Sequence, residues 1–187
     1  MIGFKDLFED IQYFPKEPMT DIPLAGPNFD LDKSVEKLKE IMKTRTKENE
    51  QSVRDHDENT YYAIEQYCKK NNLEYDKKEL DLIADQAIPT IMHFKNKFDL
   101  IRPHKHDTSI KIMDSKTNKT PSYPSGHAAQ SMIIGLHVAA KHPQHVDNLI
   151  EAAKECGYGR VLAGFHYIED YHAGNELGEK MYKRLKI

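Results

Sequence analysis

Tryptophan is absent from this 187-residue chain, cysteine occurs only twice, and glycine and proline occur nine times each. Two cysteines, Cys68 and Cys156, are too few for a disulfide framework, which points to reduced thiols. The opening segment Met1–Asp10 lacks the basic flank, apolar block and small-residue cleavage site of a secretory signal, so a cytoplasmic location is the expectation. No stretch stays apolar for the roughly 20 residues of a membrane span. A strong charge of one sign is missing too: 27 Lys and Arg against 30 Asp and Glu leave −3. Without a concentrated basic surface there is no general reason to expect a nucleic-acid partner, and any anion recognition must be local. Neither a Walker-type phosphate loop nor an H-E-x-x-H zinc helix is present. Period-two alternation and internal repeats are lacking as well, so the fold class is all-α, and the length suits a single domain spanning residues 1–187.

What is present is helical periodicity. Residues Met1–Phe29, with Pro15, Pro18, Pro23 and Pro27, form an irregular arm packed on the domain, compatible with a short helix at its opening. From Asp30 or Asp32, Leu31, Val35, Leu38, Ile41 and Met42 recur at helical spacing. The polar run Thr44–Asn59 fits either a solvated continuation of that helix or a loop. Tyr61–Cys68 is helical and ends at Asn71-Asn72. Asp76 with Glu79 has the form of a capping pair for a long helix towards Lys97, kinked at Pro89. Asp107–Thr120 has the composition of a surface loop. The run Ala128–Ala140 is apolar nearly all round, which implies central burial, and Pro143 ends it. Val146, Leu149, Ile150 and Ala153 define a helix closed by Gly157 or Gly159; Ala173, Leu177, Met181 and Leu185 define a C-terminal one.

The stretch Pro121-Ser122-Tyr123-Pro124-Ser125-Gly126-His127 joins loop to helix, with a stiff, extended approach. Ser125 suits the N-cap, so the first-turn N–H groups would face an anion, Gly126 would let a ligand approach the backbone, and His127 would stand beside it. Two other places supply complementary groups: Lys95 with Arg102, and Arg160 with His166 and Asp170. Taken singly, each reads as a surface charge. Together they describe an anion site, because arginine forks match phosphate oxygens and lysine adds a point charge. On a helical turn His166 and Asp170 share one face, so the carboxylate can fix one imidazole nitrogen and leave the other as a lone pair able to attack phosphorus. His127 could protonate the leaving oxygen. His104, His106, His172 and Glu169 are metal-ligand types, but the lysine and arginines crowding the same region would repel a cation. Tyr123, Tyr158 and Tyr167 flank the site in sequence and read as core or rim packing.

With these residues in view, the chain resembles the superfamily that unites type 2 phosphatidic acid phosphatases, bacterial class A acid phosphatases and vanadium-dependent haloperoxidases. That pattern runs K-x6-R-P, then P-S-G-H, then S-R-x5-H-x3-D. Lys95 and Arg102-Pro103 match the first part, Pro124-Ser125-Gly126-His127 the second, and Arg160, His166 and Asp170 the third, so residues 95–170 carry the resemblance. Gly159 replaces the serine, Ile168 stands where many members have proline, and Ala128 where the acid phosphatases usually have threonine; these departures bear on substrate preference. The resemblance implies that Lys95, Arg102, Arg160, Ser125 and Gly126 hold phosphate, His166 attacks it, Asp170 orients His166, and His127 protonates the leaving group. It implies a metal-independent phosphomonoesterase acting on a small phosphorylated substrate through a phosphohistidine, with no cofactor. The same pocket holds vanadate in the haloperoxidases, so that activity is the alternative, and a non-catalytic phosphate-binding module is another. The family's lipid phosphatases carry these motifs at the ends of membrane helices, so the likeness is to the soluble acid phosphatases. A homo-oligomer is compatible with the sequence.

Overall fold

A computed structural model describes residues 11–185 of the chain. The expected short helix at the opening of the arm falls on residues outside these. Among the described residues there are helices but no strands: α1 (Leu31–Lys43), α2 (Lys47–Glu58), α3 (Tyr62–Asn71), α4 (Lys77–Phe98), α5 (Pro103–His106), α6 (Gly126–Lys141), α7 (Val146–Leu162) and α8 (Ile168–Tyr182), with a 3-10 turn at Pro143–His145. None of these helices is long and apolar enough to cross a membrane.

The starts follow local chemistry. Asp30 caps α1, accepting from the Asp32 and Lys33 amides, and Asp76 caps α4 in the same way. Glu79 does not complete a capping box, because its carboxylate is drawn to the Tyr13 hydroxyl and the Lys141 ammonium. The polar run after Thr44 is neither a loop nor a continuation of α1. It is the separate helix α2, started by a Thr46–Asn49 capping box and packed on α7 through buried Val53. Pro89 lies inside α4, which runs on to Phe98.

Helix α6 is central, packed between α7 and α8 with α4 against it. Ile133 and Ile134 are fully buried, each contributing about 1.5–3 kcal/mol. Close approach on two sides depends on small residues. A Cβ at Gly174 of α8 would stand 2.4 Å from the Ser125 carbonyl oxygen, and one at Gly157 of α7 would stand 2.7 Å from Ala128 Cβ. This explains why α7 does not close at Gly157 or Gly159, as glycine in this sequence suggests: the glycines serve packing inside a helix that continues to Leu162. The C-terminal helix also begins earlier than its apolar spacing indicates, at Ile168, and Leu185 lies beyond its end. The arm residues 11–29 are irregular and anchored on α4: the Tyr13 and Phe14 amides donate to Gln86 Oε1, the Met19 amide donates to Thr90 Oγ1, and Phe14, Met19, Ile22 and Leu24 are buried.

Candidate active site

The N-termini of α6 and α8 meet, and Asp170 joins them. Its backbone carbonyl accepts from the Ser125 amide at 2.9 Å, while Ser125 Oγ caps α6 by accepting from the Ala128 amide at 3.5 Å. The Asp170 side chain, fully buried, folds back towards the start of its own helix, and its Oδ2 accepts from the Tyr167 amide at 3.0 Å. The same oxygen accepts from the Ser122 hydroxyl and faces His166 Nδ1 at 2.9 Å. His166 therefore does not share a helical face with Asp170, as their spacing suggests. It lies just before α8, whose first turn brings the carboxylate back to it. The approach to α6 is likewise bent rather than extended: the Tyr123–Pro124 bond is cis, and the Ser122 amide donates to the Leu100 carbonyl.

The other imidazole nitrogen reveals the tautomer. Arg102 Nη1 lies 3.2 Å from His166 Nε2, and a guanidinium can only donate. Nε2 must then be the lone pair, so Nδ1 carries the proton and donates a hydrogen bond to Asp170. Arg102 is held in place by the Thr120 carbonyl, which accepts from Nε at 2.8 Å, and by the Phe165 carbonyl, which accepts from Nη1 at 3.0 Å. Lys95, buried on α4, donates from Nζ to the Pro121 and Ser122 carbonyls at 2.7 and 3.2 Å, which ties the loop before α6 to the long helix.

Lys95, Arg102, Gly126, His127 and His166 line one cavity of about 350 Å³. Asp57, Tyr61, Asp81, Asp85 and Ile88 are among its other lining residues. Arg160 does not line this cavity. It is almost fully buried beside it, with its guanidinium carbon 4.3 Å from the Phe165 ring centroid and Nη1 donating to Asp57 at 2.8 Å. Tyr167 is core, Tyr123 is buried with its hydroxyl donating to the Ala25 carbonyl, and Tyr158 is exposed. The structure thus brings Lys95, Arg102, Ser125, Gly126, His127, His166 and Asp170 together, with Arg160 alongside.

Packing so many charges out of water perturbs them. Burial, with Arg102 nearby, pulls the Lys95 ammonium down to about 7, and burial also pulls Arg102 down to about 10. Burial raises Asp170 to about 7 against the opposing pull of Ser122, Lys95, the Tyr167 amide and Arg102. Burial and then the neighbouring cations hold both His127 and His166 well below the usual imidazole range. Both histidines are therefore neutral, while Arg160 is paired with Asp57. His127 Nε2 is buried without a partner.

Sequence reasoning missed Ser122, Asp57, Thr120 and Phe165, and also Ser115 and Thr117, whose hydroxyls accept from Arg160 Nη2 at 3.1 and 2.8 Å. Ser122 stood inside the motif stretch without a role, and only the fold shows its hydroxyl on Asp170. The remaining five act through contacts between distant segments, for which spacing gives no signal.

The chain is similar to known proteins over part of its length. The model of the PAP2 superfamily matches residues 82–179. A non-specific acid phosphatase of Salmonella typhi is 32% identical over 81 residues, 43% of this chain and 32% of the relative. A non-specific acid phosphatase of Providencia stuartii is 29% identical over 109 residues, 56% of this chain and 44% of the relative. An acid phosphatase of Zymomonas mobilis is 32% identical over 84 residues, covering 43% and 31% respectively. The matched stretch spans less than half the length of each of these relatives.

Proposed function

The chain belongs to the PAP2 superfamily, and from that premise we propose that it is a phosphatase, a metal-independent phosphomonoesterase that works through a phosphohistidine. The observation that carries the proposal is the hydrogen-bond pattern of His166. Nδ1–H donates to Asp170, and Arg102, which can only donate, marks Nε2 as the lone pair, on a residue that lines the cavity. The names of the acid phosphatase relatives support the reaction class.

In this mechanism a phosphoryl group enters the cavity and its oxygens draw the Arg102 fork and the Lys95 ammonium, which frees Nε2. Nε2 attacks phosphorus in line with the ester oxygen; the P–N bond forms as the P–O bond breaks, and the electron pair leaves with the oxygen. His127 donates a proton to that oxygen. The dianion raises the pKa of His127, so an imidazole that is neutral in the empty pocket becomes the acid in the loaded one. In the second half, His127 takes a proton from water, the resulting hydroxide attacks phosphorus, and the P–N bond breaks to release phosphate. Lys95, Arg102 and Arg160 supply the positive charge that stabilises the equatorial oxygens, so the scheme needs no metal or other cofactor.

The test is turnover of a panel of phosphomonoesters and diphosphates with and without chelator and vanadate. A trigonal-bipyramidal vanadate on His166 mimics the transition state, so inhibition by vanadate with indifference to chelator is expected. Chelator-sensitive turnover restored by one divalent metal overturns the metal-free scheme. Halide oxidation that requires vanadate and peroxide, without phosphoester turnover, replaces it with the haloperoxidase reading.

A further inference from the structure

Asp57 stands in the last turn of α2, outside the stretch matched by the family model, and reaches the site from there. We propose that Asp57 is a positioning residue for the phosphate site: with Ser115 and Thr117 it clamps the Arg160 guanidinium against Phe165, so that the free N–H groups of Arg160 are pre-set for a phosphoryl oxygen. The inference rests on the phosphatase reading above.

The donors of Arg160 can be accounted for. Nη1 donates to Asp57 Oδ1 at 2.8 Å, and Nη2 donates to Ser115 Oγ at 3.1 Å and Thr117 Oγ1 at 2.8 Å. Those bonds occupy three of the five guanidinium protons. Of the remainder, Nε–H is buried without a partner, a state that a buried donor keeps only at a cost, and a bound acceptor would relieve it. Both hydroxyls accept from Arg160, because a guanidinium can only donate, although they also lie 3.1 Å from each other. Each can donate to Asp57 Oδ1, at 2.5 Å from Ser115 and 3.0 Å from Thr117. The Lys116 amide donates to the other carboxylate oxygen at 3.2 Å. From below, the Phe165 ring lies 4.3 Å from the guanidinium carbon.

Among the described residues Asp57 is the only charged acceptor bonded to Arg160, and its side chain is 13% exposed against 1% for Arg160. Although burial opposes its charge, the Ser115 hydroxyl, the Lys116 amide and Arg160 hold it at about 2, so the pair stays ionised through any working pH. A long arginine held in this way loses little further freedom when an anion arrives, which is how pre-set donors favour binding. Asp57 and His127 also line the same cavity, so one carboxylate borders both the phosphate-side arginine and the residue proposed as acid.

A double-mutant cycle in the full chain tests the clamp, read as kcat/KM for nitrophenyl phosphate and as inhibition by inorganic phosphate. Asp57→Ala is expected to lower kcat/KM about 10- to 30-fold and to weaken phosphate, and Asp57→Asn, which keeps an acceptor towards Nη1, to lower it about 3- to 10-fold. In an Arg160→Ala background Asp57→Ala should cost less than about twofold, because the group it positions is gone. Thr117→Val carries the same test if Asp57→Ala does not fold: it should lower kcat/KM alone and do little in the Arg160→Ala background. Equal losses in both backgrounds would mean a general structural role and overturn the clamp. Tighter phosphate in Asp57→Asn would overturn it the other way, making Asp57 a competitor for Arg160. A parent chain that neither turns over phosphoesters nor binds phosphate defeats the phosphatase reading and the clamp with it, whereas normal turnover without coupling defeats the clamp alone.

Discussion

Replacing Asp170 by asparagine separates what its charge does from what its geometry does. Oδ2 faces the Tyr167 amide at 3.0 Å, the His166 ring nitrogen at 2.9 Å and the Ser122 hydroxyl. A backbone N–H can only donate, so a flipped amide would set its NH2 against Tyr167, and the asparagine oxygen should stay towards these donors. Arg102 at Nε2 holds the imidazole from the other side. The Nδ1–H tautomer should therefore survive. What is lost is the charge. When Nε2 bonds to phosphorus the ring becomes cationic about 4 Å from the carboxylate, an attraction of about 4 kcal/mol at an effective dielectric of 20. A neutral hydrogen bond retains about 1 kcal/mol of it, leaving a loss of about 3 kcal/mol, or roughly 10²-fold. The asparagine NH2 would also take the place of Oδ1, which is buried without a partner, at a cost of about 1–3 kcal/mol in stability. Single-turnover formation of the phosphoenzyme, nitrogen NMR of the His166 ring and a thermal melt read the three effects. A loss near 10⁴-fold with the proton moved to Nε2 would show that charge, not the Tyr167 amide, sets the tautomer, and would refute this reasoning.

Three further outcomes are expected. His127→Ala should slow alkyl phosphates about 10²- to 10⁴-fold in single turnovers but nitrophenyl phosphate far less, because only the alkoxide needs a proton to leave; equal slowing would remove the acid role. Phosphate binding should take up protons, since the anion raises Lys95 from about 7 and His127 from well below the usual imidazole range. Calorimetry above pH 7 in buffers of different ionisation enthalpy should therefore show net proton uptake after correction for the ligand, with the Lys95 share falling as pH drops below 7; net release would contradict the assignment. Gly174→Ala should cost about 1–3 kcal/mol in melting experiments and reduce turnover as well, because a Cβ 2.4 Å from the Ser125 carbonyl must push α8 from the α6 N-terminus; an unchanged melt would mean that the crossing is looser than described.

Features governed by short-range rules were legible in the sequence. Caps at Asp76 and Ser125, the choice of Asp30 or Asp32 for α1, which the fold settles as Asp30, and the burial of α6 follow from neighbouring residues. The P-S-G-H stretch and the Lys95, Arg102, Arg160, His166 and Asp170 spacings pointed to groups that the fold gathers. What failed depended on contacts across the fold. Gly157 looks like a helix stop until Ala128 and Tyr171 are packed against its missing side chain. The start of α8 was hidden because its N-cap, Tyr167, offers no capping side chain, and Asp170 from inside the helix does that work. Nothing in the polar run that became α2 marks Asp57 out from its neighbours; only its reach to Arg160, 103 residues away, does so.

The central claim is that His166 Nε2 becomes covalently bonded to phosphorus, and rapid-quench trapping with a labelled phosphomonoester tests it most directly. The account predicts an acid-labile, base-stable phosphoryl adduct on His166, formed at a rate able to support turnover and absent from His166→Ala, which should also be inactive. Turnover that persists in His166→Ala, or that proceeds in the parent chain with no histidine adduct at any time point, would contradict it.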